Sequence, residues 1–218
     1  MKKQDPEGRS GEFLLGAMLA KLQDKKRTAL EKIACNIREC TKCPLCSGRE
    51  MEVPGEGDPN SKLFFIGEAP GVEEDKQGRP FVGKSGSLLS DLIRHIGLGR
   101  GLVFITNVVK CHPPGNRLPE MDEVNACLPY LREQISAVKP KIVVLLGNVA
   151  LFSILKRTHV SELHGSLLTE NGQSYFITCH PSAALRSGVW RRRIYEDFQK
   201  LSSFLQEMEE KIQWRNTS

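Results

Sequence analysis

Several residues suited to chemistry stand where a short apolar run ends. An apolar run over residues 63–66 stops at Gly67, and a loop of Gly, Pro and carboxylates then leads through Phe81 into an amphipathic segment. A strand–loop–helix unit of this kind places loop atoms above the carboxyl end of a parallel sheet, where open α/β folds bind ligands. The sequence therefore predicts an active site within residues 63–89.

Two further polar side chains hold similar positions in the chain. Asn107 lies in the apolar run 103–109, and His180 follows the run 175–178. A buried amide is costly unless it is paired, and a carboxamide offers one donor and one acceptor to a ligand. An imidazole at the end of a strand either donates to a ligand or bonds the backbone of its own turn. Residue types alone leave a ligand-binding role and a purely structural role open for both.

Cysteine spacing indicates a second kind of site. Cys40 and Cys43 form a close pair, and Cys111 and Cys127 are separated from it and from each other. In a reducing compartment such cysteines are more often ligands or buried thiols than disulfides. Four thiolates in this pattern suit Zn²⁺ or a 4Fe-4S cluster, and spacing does not distinguish the two. Cys46 extends the pair to a C-x-x-C-x-x-C run similar to that of ferredoxins, so it is an alternative ligand.

Length and composition limit the class of protein. The chain has 218 residues, 39% of them hydrophobic, which is enough for one domain with a full core, and its net charge of +5 favours a polyanionic partner without requiring one. No apolar stretch approaches the length of a bilayer span, and the N-terminus lacks the apolar segment of a secretory signal. The sequence therefore predicts a cytoplasmic protein with no membrane partner.

Apolar periodicity and turn residues predict alternating strands and helices. The predicted strands cover residues 63–66, 103–109, 142–146 and 175–178. The predicted helices cover residues 13–37 as one helix or two, then 86–96, 119–139, 148–155 and 189–212. This alternation predicts an α/β fold, a three-layer α/β/α sandwich with a central, mainly parallel sheet of about four strands. Residues 1–27 are expected to form an N-terminal extension, partly disordered or helical, and residues 28–218 a single domain.

Three motifs resemble those of a known family. In chain order they are GEAPGVEEDKQGRPFVGKSGSLL from Gly67, TNVVKCHPPGNRLP from Thr106 and HPSAALR from His180. They resemble the motifs of the family 4 uracil-DNA glycosylases, the iron–sulfur-containing branch of that superfamily. The resemblance covers most of the chain, from about Cys40 to the helix after Arg186.

The resemblance implies an activity, a cofactor and a partner. It implies hydrolysis of the N-glycosidic bond of uracil in DNA, which leaves an abasic site and starts base excision repair. It implies a monomer that acts on single- or double-stranded DNA. It also implies a 4Fe-4S cluster with four thiolate ligands, namely Cys40, Cys43, Cys111 and Cys127.

Hydrolysis of this bond requires hydrogen-bond donors at the uracil oxygens, a stacking platform and a positioned water. The resemblance implies that His180 donates to uracil O2 as negative charge develops there. It implies that Asn107 reads O4 and N3–H, a pattern that cytosine reverses, and that the base stacks on Phe81. Gly67 and Ala69 complete the expected uracil-binding set.

The water-activating group is where the sequence departs from the better-known branch of the superfamily. Those enzymes resemble one another in a GQDPYH motif, whose Asp assists the attack of water and whose Tyr excludes thymine. Ala69 and Gly71 stand at these two positions here, and neither can take those roles. Glu68 and Glu74 are therefore the expected catalytic carboxylates, with a backbone carbonyl or general electrostatics as alternatives. Glu74 is also a candidate for excluding thymine.

A base within a duplex must be flipped out before it can react, which requires a wedge and phosphate anchors. The resemblance implies that Leu185 and Arg186 enter the duplex, since an apolar wedge beside a guanidinium suits that work. The other expected DNA contacts are Ser85, Asn116, Arg117 and Ser182.

The sequence thus predicts a monofunctional uracil-DNA glycosylase. No lysine stands in the motifs at a position that the family uses as a nucleophile, so base release without strand cleavage is expected. The rivals are a related branch that accepts more bases or stays covalently attached to its product, a non-catalytic iron–sulfur DNA-binding module, and a hydrolase of free nucleotides. A binding module has no need of both Asn107 and His180, and a nucleotide hydrolase should carry metal-binding carboxylates or a phosphate-cradling loop.

Overall fold

A computed structural model describes residues 7–217, with side chains described for Met18 and for residues 21–210. The disorder expected at the N-terminus falls partly on residues 1–6, which lie outside the described residues. One six-stranded sheet forms the centre of the described chain, in the order β1-β3-β2-β4-β6-β5. The strands are β1 (Glu56–Gly57), β2 (Leu63–Gly67), β3 (Phe104–Asn107), β4 (Ile142–Leu146), β5 (Leu167–Glu170) and β6 (Gln173–Thr178).

The sheet is mainly parallel, which confirms the predicted class. Strands β3, β2, β4 and β6 pair in parallel and correspond to the predicted four. Two antiparallel edge strands, β1 and β5, extend the sheet beyond that prediction. Apolar runs in the sequence do not predict these two strands, because β1 has only two residues and β5 is only partly buried.

Helices account for most of the remaining described chain. They are α1 (Glu7–Arg38), α2 (Val72–Gln77), α3 (Lys84–His95), α4 (Met121–Val138), α5 (Asn148–Leu155), α6 (Val160–Leu163), α7 (Pro181–Arg186) and α8 (Gly188–Thr217). Of the two alternatives for the N-terminal region, the structure has the single long helix. No described helix is both long and apolar enough to cross a lipid bilayer.

The core lies on both faces of the sheet. Every residue of β2 and of β4 is buried, and because successive side chains of a strand point to opposite faces, both faces must be covered. On one face α8 packs against the sheet, where the Phe198 ring stacks on that of Phe65 at 5.9 Å between centroids. The three-layer arrangement is therefore present.

The parallel strands deliver the three motifs to one edge of the sheet. Gly67 at the end of β2 stands in register with Asn107 at the end of β3. Strand β6 ends at Thr178, two residues before His180. Because the carboxyl ends of parallel strands meet at one edge, residues far apart in sequence face a common space.

Candidate active site

A pocket of about 540 Å³ lies at this edge of the sheet. It is lined by nearly all of the residues predicted to act on the base or to contact DNA: Glu68, Ala69, Glu74, Phe81, Ser85, Asn107, Asn116, Arg117, His180, Ser182 and Arg186. Gly67 lies behind this lining, and Leu185 is exposed beside Arg186. The fold thus brings the predicted set together.

Asn107 presents an unusual buried group to the pocket. Its side chain is 1% exposed, and its Oδ1 atom has no hydrogen-bond partner within the part of the chain that the structure describes. A buried polar atom without a partner costs free energy, so such atoms are rare in native proteins. A ligand that donates a hydrogen bond at this position would satisfy the Asn107 oxygen.

Gly67 explains how Asn107 and Phe81 come so close together. A Cβ atom at position 67 would lie only 2.5 Å from the Phe81 ring and would also contact Asn107 Oδ1. Glycine is therefore required here to leave space, rather than to contact a ligand through a side chain.

His180 faces the pocket as a neutral ring of defined tautomer. The backbone N–H of Ser182 donates to His180 Nδ1 at 3.2 Å, and the Ser182 hydroxyl lies 2.8 Å from the same atom. Because a backbone N–H can only donate, Nδ1 is an acceptor and the neutral ring carries its proton on Nε2. Burial, assisted by the positive charge of Arg186, lowers the pKa of His180 to about 4. At neutral pH the ring therefore offers an N–H donor without a positive charge.

Glu74 forms hydrogen bonds to both ends of the segment 71–83, the active-site loop. Its Oε1 accepts hydrogen bonds from the backbone N–H groups of Val82 and Gly83 at 2.8 and 2.9 Å, and its Oε2 accepts one from Gly71 at 3.1 Å. Between these ends Phe81 adopts a left-handed backbone with φ of 51°, which is costly for a bulky residue. The Phe81 ring lies against that of His180, with centroids 5.6 Å apart. These contacts favour a positioning role for Glu74.

Glu68 is in a different environment. Its side chain is half-buried at the pocket wall, and burial raises the pKa of its carboxyl group. Within the described residues this carboxylate makes no ion pair or side-chain hydrogen bond, whereas both oxygens of Glu74 are occupied. Glu68 is therefore the carboxylate of the pair that is better placed to accept a proton from water.

A second cavity collects the cysteines. A small cavity of about 10 Å³ is lined by Cys40, Cys43, Cys46, Cys111 and Cys127. The remaining two cysteines do not line it. The four predicted ligands are thus together, with the alternative Cys46 beside them. Arg49 Nη1 donates to Cys111 Sγ at 3.2 Å, and burial raises the pKa of the Cys127 thiol to about 11.

The thiols around this cavity are donors that suit either a metal ion or an iron–sulfur cluster. Within the described residues, no group of three or more His, Cys, Asp or Glu side chains is placed to hold one metal ion. A structural Zn²⁺ needs its thiolates at one short distance from a common point, whereas an iron–sulfur cluster occupies a volume between its cysteines.

Comparison with known proteins identifies the family. Residues 54–206 match the family model of the uracil DNA glycosylase superfamily. The chain belongs to this superfamily. It is 46% identical over 185 residues to a type-4 uracil-DNA glycosylase of Sulfurisphaera tokodaii, covering 79% of this chain and 83% of that protein. It is 41% identical over 181 residues to a type-4 uracil-DNA glycosylase of Thermotoga maritima, covering 81% and 94% respectively.

A more distant similarity marks the branch. A type-5 uracil-DNA glycosylase of Pyrobaculum aerophilum is 34% identical over 148 residues, which cover 60% of this chain and 65% of that protein. The type-4 relatives are both more similar and matched over more of their length. The chain is therefore a member of the type-4 family, as its motifs predict.

The pocket of this type-4 family member also contains residues that the sequence did not single out. Lys84, Pro113 and Leu118 line it, and Leu118 is 66% exposed. An exposed leucine has no signature in the sequence, because the loop around it shows no helical or strand periodicity.

Arg117, one of the predicted DNA contacts, is partly engaged within the protein. Its guanidinium makes a two-point ion pair with Glu123, with N–O distances of 2.8 and 2.6 Å. The pair holds the loop that carries Leu118 against the start of α4.

Proposed function

We propose that this protein hydrolyses the bond between uracil and deoxyribose in DNA, releasing the base and leaving an abasic site that starts base excision repair. The observation that carries the proposal is an unpaired, buried Asn107 oxygen in the same pocket as a neutral His180. Its type-4 relatives bear the name of this activity.

Recognition of the base rests on the Asn107 amide. Oδ1 accepts the N3–H of uracil, and Nδ2 donates to O4. Cytosine presents an acceptor at N3 and an amino group at C4, so the same amide meets the wrong pattern. Phe81 supplies the stacking surface, and Ala69 and the space left by Gly67 shape the pocket around the ring.

Bond cleavage places negative charge on the leaving base. The C1′–N1 bond breaks with both electrons moving to uracil, and His180 Nε2–H donates to O2, where the charge develops. This hydrogen bond strengthens as the charge grows, so it stabilises the transition state more than the bound substrate. Because the ring is neutral at the start, it does not protonate the base beforehand.

Water completes the reaction at the sugar. As C1′ acquires oxocarbenium character, the oxygen of a water molecule bonds to it and Glu68 accepts the released proton. Glu74 acts as a positioning residue that keeps Phe81 beside His180. No lysine nucleophile takes part, so the DNA strand stays intact.

DNA contacts surround the mouth of the pocket. Leu185, which is 44% exposed, fills the gap left by the flipped base, and Arg186 binds phosphate beside it. Further DNA contacts are Ser85, Asn116, Arg117 and Ser182, all of which line the pocket. The site accepts single- or double-stranded DNA.

The proposed cofactor is a 4Fe-4S cluster held by Cys40, Cys43, Cys111 and Cys127, and the position of these four cysteines around one cavity supports it. When bound, the cluster supplies a cross-link between the segment after α1 and the segments around β3 and α4. We propose that the enzyme is a monomer and that it works in the cytoplasm, where a reducing environment keeps cysteine ligands from forming disulfides. Residues 28–218 form its single domain, and residues 1–27 an extension.

The test is base release from an oligonucleotide with a single uracil, developed with alkali. The native protein is expected to give alkali-dependent breaks, and His180→Ala to lower the rate by about 100- to 1,000-fold, as for the loss of one oxyanion donor. Asn107→Asp should shift activity toward cytosine. His95→Ala, an exposed histidine, is the matched control and should behave as native.

Three outcomes would contradict the proposal. Nicks before alkali treatment would indicate strand cleavage, and a protein–DNA adduct that survives denaturation would indicate the covalent branch. If the native, cluster-loaded protein bound DNA but released no uracil, the protein would be a DNA-binding module rather than an enzyme.

A further inference from the structure

Among the described residues, the buried side chain of Lys110 has no carboxylate partner. Its side chain is 1% exposed, and its ammonium group donates to Thr106 Oγ1 at 2.5 Å, to the carbonyl oxygen of Asn107 at 2.7 Å and to Gln134 Oε1 at 2.8 Å. All three acceptors are neutral oxygens. They satisfy the three N–H bonds of a protonated Lys110 but supply no opposite charge, and a buried charge without compensation is unfavourable.

The cysteine cavity is where a compensating charge belongs. Lys110 lines that cavity together with Arg49, and no Asp or Glu does so among the described residues. Four thiolates outweigh the positive charge of an iron–sulfur core, so the ligated cluster is an anion. A cavity lined by thiols and by the basic residues Arg49 and Lys110, without a carboxylate, therefore suits the charge of the cluster as well as its ligand chemistry.

The ammonium group of Lys110 is also linked to the uracil pocket, because it bonds the end of strand β3. Its bonds to Thr106 and Asn107 fix the last two residues of β3, and the Asn107 side chain lines the pocket. Lys110 thus lines the cysteine cavity, and its side chain bonds the residue proposed to read the base.

We propose that Lys110 is a positioning residue that serves both sites: it is the counter-charge of the cluster, and it holds the Asn107 main chain in place for uracil recognition. This inference rests on the proposed function for its second half only. Its first half concerns the cluster and holds whatever reaction the pocket performs.

Two substitutions separate the halves. Lys110→Met removes both the charge and the hydrogen bond to Asn107, while the methionine side chain has a length similar to that of lysine. Gln134→Glu keeps the side-chain volume and places a carboxylate 2.8 Å from the ammonium group, so it compensates the charge while the bond to Asn107 remains. Gln134→Glu also loses the hydrogen bond that Gln134 Nε2 donates to the Pro54 carbonyl oxygen at 2.6 Å, so Gln134→Met, which loses that donor without adding a charge, is its matched control. Lys62→Met is the control, because Lys62 is exposed and paired with Glu209 on the surface.

The first measurement is the reduction potential of the cluster, followed anaerobically by its visible absorption. Reduction adds negative charge, so loss of a nearby positive charge should make the cluster harder to reduce. Both Lys110→Met and Gln134→Glu are expected to lower the potential relative to Lys62→Met. The shift in Lys110→Met is the decisive one, because Gln134→Glu adds a negative charge that lowers the potential whatever the role of Lys110.

The second measurement is inhibition by free uracil. Lys110→Met should raise the inhibition constant by about threefold to tenfold, the worth of one net hydrogen bond, whereas Gln134→Glu should leave it near the native value. This split between the two variants distinguishes positioning from charge.

The proposal is overturned if the potential of Lys110→Met equals that of Lys62→Met, if Lys110→Met binds uracil as the native protein does, or if the native protein holds no cluster. Should Lys110→Met fail to fold, Lys110→Gln, which is neutral but keeps a hydrogen-bond donor, takes its place in both measurements. A native protein that carries the cluster but releases no uracil would defeat the proposed function and leave the potentials still able to test Lys110.

Discussion

At the scale of single residues, the pocket separates recognition of the base from stabilisation of its charge. Asn107 offers an unsatisfied acceptor, which selects a ring that carries an N–H at that place. His180 offers a donor whose tautomer is set by Ser182. Neither residue needs to change its protonation state, so hydrogen bonding and electrostatics carry most of the proposed chemistry.

Glu68 is the residue that should give the reaction its pH dependence. Burial raises the pKa of Glu68 above its usual 4.5, and a general base works only when deprotonated. We therefore expect kcat/KM to fall as the pH drops through a value above 4.5, before His180 becomes protonated near pH 4. Glu68→Gln should lower kcat by about 100-fold or more and abolish this acidic limb.

The control for Glu68 is Glu73→Gln, because Glu73 is an exposed carboxylate on the nearby helix α2. It should keep both the rate and the pH profile, measured as initial rates of uracil release across a buffer series. If Glu68→Gln kept the acidic limb, another group would be the base and a backbone carbonyl would become the better candidate for positioning the water.

At the scale of secondary-structure elements, close packing between β2, β3 and the active-site loop creates the pocket. Gly67→Ala tests this packing, because its new Cβ would lie 2.5 Å from the Phe81 ring and force the ring or the strand to move. We expect kcat/KM to fall at least about tenfold, with a loss of stability of about 1–3 kcal/mol from overpacking. Steady-state kinetics and thermal unfolding measure the two effects.

Gly101→Ala serves as the matched control, because a Cβ at position 101 meets no atom within 4 Å. It should behave as native in both measurements. Native-like activity of Gly67→Ala would mean that Phe81 does not need its observed position, and the stacking role would then be wrong.

The elements also show what a sequence can and cannot reveal. Continuous apolar runs predicted the four parallel strands, and the helix expected at residues 148–155 has those bounds in the structure. Strand β1 and helices α2, α6 and α7 are too short to show periodicity, so they were missed.

The site was predictable to a similar degree. Residues in the three motifs lie together because parallel strands end at one edge of the sheet, and this follows from the alternation of strands and helices. The bonds of Glu74 to both ends of its loop and the position of Leu118 depend on how loops fold back, which no local pattern encodes. The charge on Lys110 likewise gave no sign that it would be buried.

At the scale of the whole molecule, the pocket must meet a polymer rather than a free base. Leu185 stands exposed beside Arg186, where a flipped nucleotide would leave a gap in the duplex. Because a single strand needs no such plug, Leu185→Ala should lower activity on duplex DNA by about tenfold or more and change activity on single strands little.

The comparison requires the same uracil-containing strand alone and annealed to its complement. Val189→Ala is the control, since Val189 is apolar, more exposed at 61%, and lies outside the pocket lining. Equal losses on both substrates would show that Leu185 supports the fold or the pocket rather than the opened duplex.

The cysteine cavity joins parts of the molecule that are distant in sequence. Cys40 and Cys43 follow α1, whereas Cys111 follows β3 and Cys127 lies within α4. A ligand held by all four would link the N-terminal helix to the domain, and because it binds only the folded chain, its binding free energy would add to the stability of that chain.

Serine substitutions of the individual cysteines test which thiols form this link. Cys111→Ser and Cys127→Ser should each lose most of the iron, the visible absorption and several degrees of unfolding temperature, while Cys35→Ser, an exposed thiol outside the cavity, should lose none. Cys46→Ser decides the open position: it should retain iron if Cys40 and Cys43 are the ligands. If instead Cys46→Ser loses iron and Cys40→Ser retains it, the two neighbouring ligands are Cys43 and Cys46. This alternative is possible because Cys43 and Cys46 also have C-x-x-C spacing, and because Cys40 and Cys46 line the same cavity.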